Sequence, residues 1–107
     1  MSTFDKREEG FERKFALDEE SRFKATARRN KILGLWVAEK IGLSGADAEA
    51  YAKSIIIADL AEGGDEDVFR KIRADFDNAK VAQSDHQIRR TMDELLQKAV
   101  EQIKAGT

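Results

Sequence analysis

The chain has no cysteine and no proline among its 107 residues. Without cysteine there is no disulfide and no thiolate metal site, which excludes stapled secreted scaffolds and makes a reducing cytoplasm the natural setting. Without proline, no position is barred from a helix interior for want of a backbone N–H. Histidine occurs once, as His86. A lone histidine with no cysteine makes an ordinary zinc site only if several carboxylates converge on it. His86 also has no nucleophile beside it in a recognisable triad setting. Long apolar runs are missing: no stretch approaches the roughly 20 apolar residues of a membrane span. The N-terminus lacks the apolar centre of a signal peptide. Neither glycine-rich phosphate-binding pattern, of the mononucleotide or the dinucleotide type, is present.

What the sequence does have is charge and helical periodicity. Charged residues make up 37% and hydrophobic residues 41%, enough to fold one small domain with wide solvated faces. The net charge of −2 is unevenly spread. Residues 1–44 carry ten basic and eight acidic groups, and residues 45–79 carry nine acidic against four basic, a local balance of −5. This is not the basic footprint of a nucleic-acid binder.

The stretch from Phe23 to Gly42 organises the rest. Ile32, Leu33, Leu35, Trp36, Val37, Ala38 and Ile41 make its second half apolar on nearly every side, as in a helix surrounded by others. Its first half, Arg22 to Lys31, is expected to project into solvent. This first helix starts at Asp18 or Ser21 and ends at Ile41, with Gly42 as its left-handed stop. Ser44 then serves as an N-cap, and a second helix spans Gly45 to Glu62 with Ala48, Tyr51, Ala52, Ile55, Ile56 and Leu60 as its apolar stripe. After Gly63–Gly64, Asp65 caps a third helix from Glu66 to Asp77, lined by Val68, Phe69, Ile72 and Phe76. Val81 plugs the next loop. Ser84 and Gln87 form a capping box for a fourth helix from Asp85 to Lys104, striped by Ile88, Met92, Leu95, Leu96, Ala99 and Ile103. Four amphipathic helices with short connections predict an all-α, antiparallel four-helix bundle over residues 18–107.

Residues 1–17 read differently. Charges of both signs fill the segment, and Gly10 would cost a helix there roughly 1 kcal/mol relative to alanine. A lone helix of about 12–15 residues is marginal in water. The segment is expected to be a mobile arm with latent helix character. Phe4, Phe11 and Phe15 fall at spacings of seven and four, so they share one face if the arm coils. Aromatic residues on one face of a charged arm suit insertion into a groove; the plainer reading is that they pack on the bundle.

Three constellations invite chemistry. The acidic run from Asp59 to Asp67 fails as a calcium loop, because Ala61 and Gly63 fall at ligand positions and Arg70 stands where a bidentate carboxylate is needed. Arg28–Arg29 and Arg89–Arg90 are paired cations. His86, Arg89 and Arg90 share one side of the fourth helix and could contact an anion or a nucleotide phosphate, although a solvated face is the favoured explanation, since exposed charges usually contribute little. No constellation for catalysis and no cofactor site is visible.

Three stretches resemble one small family, the zeta subunit of alphaproteobacterial F-type ATP synthases. They are FDKREEGFERKFALDEESRFKATARRNKILGLWVAEKIG, AEAYAKSIIIADLAEGGDEDVFRKIRADF and SDHQIRRTMDELL. They cover most of the chain in order, and the combination of RRNKILGLW, GDEDVFRKIRADF and SDHQIRR is specific. The resemblance implies a four-helix bundle with a mobile N-terminal inhibitory arm and no enzymatic activity. It implies a cytoplasmic protein, monomeric when free, that reaches the inner membrane only through the synthase. Its partner would be the catalytic headpiece, where the arm enters an alpha/beta interface beside the gamma stalk and blocks ATP hydrolysis. Carried onto this sequence, the arm contacts are Phe4, Asp5, Lys6, Arg7, Glu8, Glu9, Phe11, Glu12, Arg13 and Phe15, with the phenylalanines as anchors by their spacing. Two other readings compete: a small nucleotide-binding regulatory bundle using His86, Arg89 and Arg90, and a scaffold that self-associates through its second and third helices.

Overall fold

A computed structural model describes residues 18–62 and 64–106. It contains four helices, α1 (Glu19–Lys40), α2 (Gly45–Glu62), α3 (Asp65–Asn78) and α4 (Asp85–Lys104), and among the described residues no strand. The arm assigned to residues 1–17 lies outside the described residues. The chain is an all-α four-helix bundle, as the periodicity predicts.

Each boundary has a local cause. Asp18 caps α1 by accepting the Ser21 N–H at 2.7 Å, which satisfies one of the orphan donors of the first turn. At the other end Gly42 takes φ +89°. The Gly42 N–H reaches the Glu39 carbonyl, and the Leu43 N–H reaches Ala38, the paired bonds of a Schellman stop. Ser84 and Gln87 form the expected reciprocal box at the start of α4. Helix α3 differs from expectation by one residue: Gly64 stands at the cap, and Asp65 is the first helical residue. The Asp65 side chain is engaged elsewhere, as described below.

Helix α1 is the axis. It packs antiparallel along both α2 and α4, and α3 bridges those two. Leu33, Val37, Ile55, Val68, Ile72, Phe76 and Ile88 are all fully buried in one continuous core. The Trp36 ring meets Phe76 edge-on, with centroids 5.6 Å apart at 84°, a favourable aromatic geometry. Val81 packs against this core from its loop. A second cluster, Ala25, Ala99 and Val100, joins the start of α1 to the end of α4.

Two expectations fail. Residues 22–31 do not all project outward: Ala25, Arg29 and Asn30 are about 1% exposed, because α2 and α4 pack along α1 and the Arg29 side chain reaches Asp65 at the start of α3. Leu60, assigned to the inner stripe of α2, is 61% exposed. Thr26, Ala27 and Asn30 face it from α1 without covering it, and Phe23, the one large residue on that wall, is itself 58% exposed.

Candidate functional site

The polar chemistry of the bundle concentrates where α1 passes the turn between α2 and α3. The guanidinium of Arg29 is among the largest fully buried side chains. Its Nε donates to Asn30 Oδ1 at 2.8 Å, and its Nη2 donates to Asp65 Oδ1 at 2.8 Å. Asn30 Nδ2 donates to Asp59 Oδ2 at 3.0 Å, and the other Asp59 oxygen accepts the Gly64 N–H at 3.1 Å. The network therefore ties α1 to both sides of the glycine turn. Among the described residues no buried side-chain polar atom lacks a partner.

Chemically this network is closed. Four carboxylates in the stretch that tempts a calcium reading serve the protein itself: Asp59 holds Asn30 and Gly64, Asp65 holds Arg29, Glu66 pairs with Arg89, and Asp67 pairs with Arg70. Among the described residues no group of three or more potential ligands could hold a metal. The sequence offered little warning of the network. Arg28–Arg29 reads as a surface pair, and the partner of Arg29 lies 36 positions away.

Beside the network runs an apolar groove. Phe23, Thr26, Ala27 and Asn30 form its α1 wall, and Ile56, Asp59 and Leu60 form its α2 wall. Among the described residues, the large apolar side chains left exposed are Phe23 at 58%, Ile57 at 63% and Leu60 at 61%. Two of them line this groove, and Ile57 adjoins Leu60 one helical turn back on α2. Asp18, the cap from which residues 1–17 lead away, lies five residues before Phe23. Its carboxyl is held below the ordinary 3.8, chiefly by the Ser21 backbone N–H.

The basic trio on α4 is arranged otherwise. His86 is exposed in the first turn. Arg89 reaches across to α3, 2.9 Å from Glu66, and its guanidinium lies 3.9 Å from the centre of the Phe69 ring. The bond to Glu66 raises the Arg89 guanidinium further above its ordinary value. Arg90 pairs with Glu94 on its own helix at 2.9 Å. The two arginines of the trio are thus each paired with an intramolecular carboxylate. The expected arm contacts, Phe4, Asp5, Lys6, Arg7, Glu8, Glu9, Phe11, Glu12, Arg13 and Phe15, lie outside the described residues.

Comparison with known proteins adds two findings. A family model described as ATPase inhibitor subunit zeta matches residues 1–102. A protein solved by solution NMR is similar in sequence and fold: it is 42% identical, with a TM-score of 0.69, over 80% of this chain and 98% of that one. No curated protein matches.

Proposed function

The chain belongs to the ATPase inhibitor subunit zeta family, and on that premise we propose that residues 1–17 are the inhibitory element and the bundle is their carrier. The arm enters a catalytic alpha/beta interface of the F-type ATP synthase beside the gamma stalk and stops rotation in the hydrolytic direction. The observation that carries this reading is the extent of the family match, which begins at residue 1 and includes the arm. The closed polar network supports it from the other side, since a bundle whose buried polar side chains, among the described residues, all have partners is suited to holding a shape. On this reading the protein catalyses nothing, needs no cofactor, and is a cytoplasmic monomer that meets the inner membrane only through the synthase.

Physical chemistry favours a division of labour. Ordering about 14 arm residues costs on the order of 1–2 kcal/mol each in backbone entropy, so a deep host surface must compensate. The bundle helps by tethering the arm near that surface and raising its effective concentration. A nucleotide-binding reading of His86, Arg89 and Arg90 faces a competing anion at each arginine, because a phosphate would have to displace Glu66 from Arg89 and Glu94 from Arg90.

The test is deletion of residues 1–17. Added to membranes bearing the synthase, the intact chain should depress ATP hydrolysis more than ATP synthesis, and the truncated chain should lose that effect. Equal inhibition by the truncated chain would overturn the proposal.

A further inference from the structure

Among the described residues, two of the exposed large apolar side chains, Phe23 and Leu60, line one groove towards the end of α1 where the arm begins, and Ile57 adjoins it on α2. We infer that the groove between α1 and α2 is a resting site for the chain's own arm, with Phe11 and Phe15 seated against Phe23, Ile56 and Leu60 when no partner holds it.

Reach and spacing both point to this occupant. From Asp18 to Asn30 the groove wall rises about 18 Å along α1 at about 1.5 Å per residue. Seven residues separate Phe11 from Asp18, enough to span about 23 Å if extended at about 3.3 Å per residue. An arm that folds back on itself at residues 16–18 can therefore lay Phe15 beside Phe23 and Phe11 further along. Phe11 and Phe15 are four residues apart, as are Ile56 and Leu60 on the opposing wall, so a coiled arm presents one aromatic residue to each. The tether adds an advantage that a second copy of the chain lacks, because intramolecular docking does not depend on protein concentration. The arm carries four acidic and four basic residues, so no net charge opposes its approach to the acidic face of α2 and α3.

Docking is shallow, since Phe23 and Leu60 line an open groove and not a closed pocket. It is a reversible latch. The docking stands apart from the inhibitory reading, and only its consequence for inhibition rests on that reading: a parked arm must leave the groove before it enters the synthase.

The absence of cysteine makes the test clean. A nitroxide label on Glu8→Cys in the full-length chain is the only labelled site, and amide broadening reports where it spends its time. Ala99 to Ile103 of α4 flank the opposite side of the start of α1 and serve as the internal reference. Docking predicts stronger broadening at Ile56, Ile57 and Leu60 than at that reference, with loss of the excess in Leu60→Glu and in Phe23→Ser. Both replaced residues are exposed, and unchanged α3 and α4 resonances verify the fold. Equal broadening on both sides, no broadening, or an excess that survives both substitutions overturns the proposal. So does an excess seen only between labelled and unlabelled molecules in a mixture, which would assign the groove to a second copy. In the hydrolysis assay Leu60→Glu should inhibit at about two- to tenfold lower concentration, because the fraction of molecules with a free arm rises. If broadening identifies the groove but neither the parent chain nor Leu60→Glu inhibits, the latch stands and the inhibitory reading fails.

Discussion

Tyr51 is the single tyrosine of the chain, and its hydroxyl donates to Asp75 Oδ2 at 2.6 Å, joining α2 to α3. Burial first, and then this bond, push the phenol far above its ordinary 10.0. A group whose folded value is raised contributes stability that is complete below the unfolded value and is lost as pH rises towards the folded one. The bundle should therefore lose stability above pH 10, with a slope approaching about 1.4 kcal/mol per pH unit. Tyr51→Phe should remove that component, and the difference between the two denaturation curves isolates it from lysine titration. The phenolate absorbance of the native protein should appear only as the protein unfolds. Asp65 supplies a second residue-level contrast. Its side chain is 61% exposed, yet it is the anion for a guanidinium that is 1% exposed. An ordinary surface substitution changes stability by about 0.5 kcal/mol or less. Asp65→Ala leaves a buried charge without its anion, and should cost about 2–4 kcal/mol in urea denaturation.

At the scale of the helix, much was legible in the sequence. The spans of α2 and α4, the box at Ser84, the stop at Gly42 and the inner face of α3 follow from periodicity and capping chemistry that act within a few residues. What was not legible depends on distant partners. Arg29 looks like half of a solvated pair until Asp65 and Asn30 are brought beside it. Leu60 obeys the α2 period and is left uncovered, because Thr26 and Ala27 on α1 are small and Phe23 beside them stays open to solvent. Asp65 has a capping residue's chemistry but is drawn away to Arg29. Gly34 was likewise silent in the sequence, lying inside a strongly helical run. A Cβ built there would approach the Ala52 Cα to 2.6 Å. That neighbour is backbone, so the helices themselves would have to part. Gly34→Ala improves intrinsic helix propensity by about 1 kcal/mol. It should nevertheless lower stability by about 1–3 kcal/mol as overpacking prevails, measurable as a reduced thermal midpoint with the helical circular dichroism retained.

On the proposed reading, the molecule as a whole combines a body whose interactions are settled internally with a leader that acts on a partner. The body's exposed ion pairs, such as Arg90 with Glu94, contribute little individually. Its stability resides in the apolar core and the Arg29 network. A change in the leader should therefore alter inhibition without unfolding the carrier, and the deletion of residues 1–17 measures that separation. The near-contact of Gly34 with Ala52 gives this plan a mechanical corollary. It acts as a pivot, the point where two crossed rods touch, and the gap at Phe23 and Leu60 lies about 16 Å up one of them. Widening the pivot by a single methyl changes the splay of the rods at that distant mouth. A substitution in the middle of the bundle can thereby tune how firmly the mouth closes on whatever occupies it.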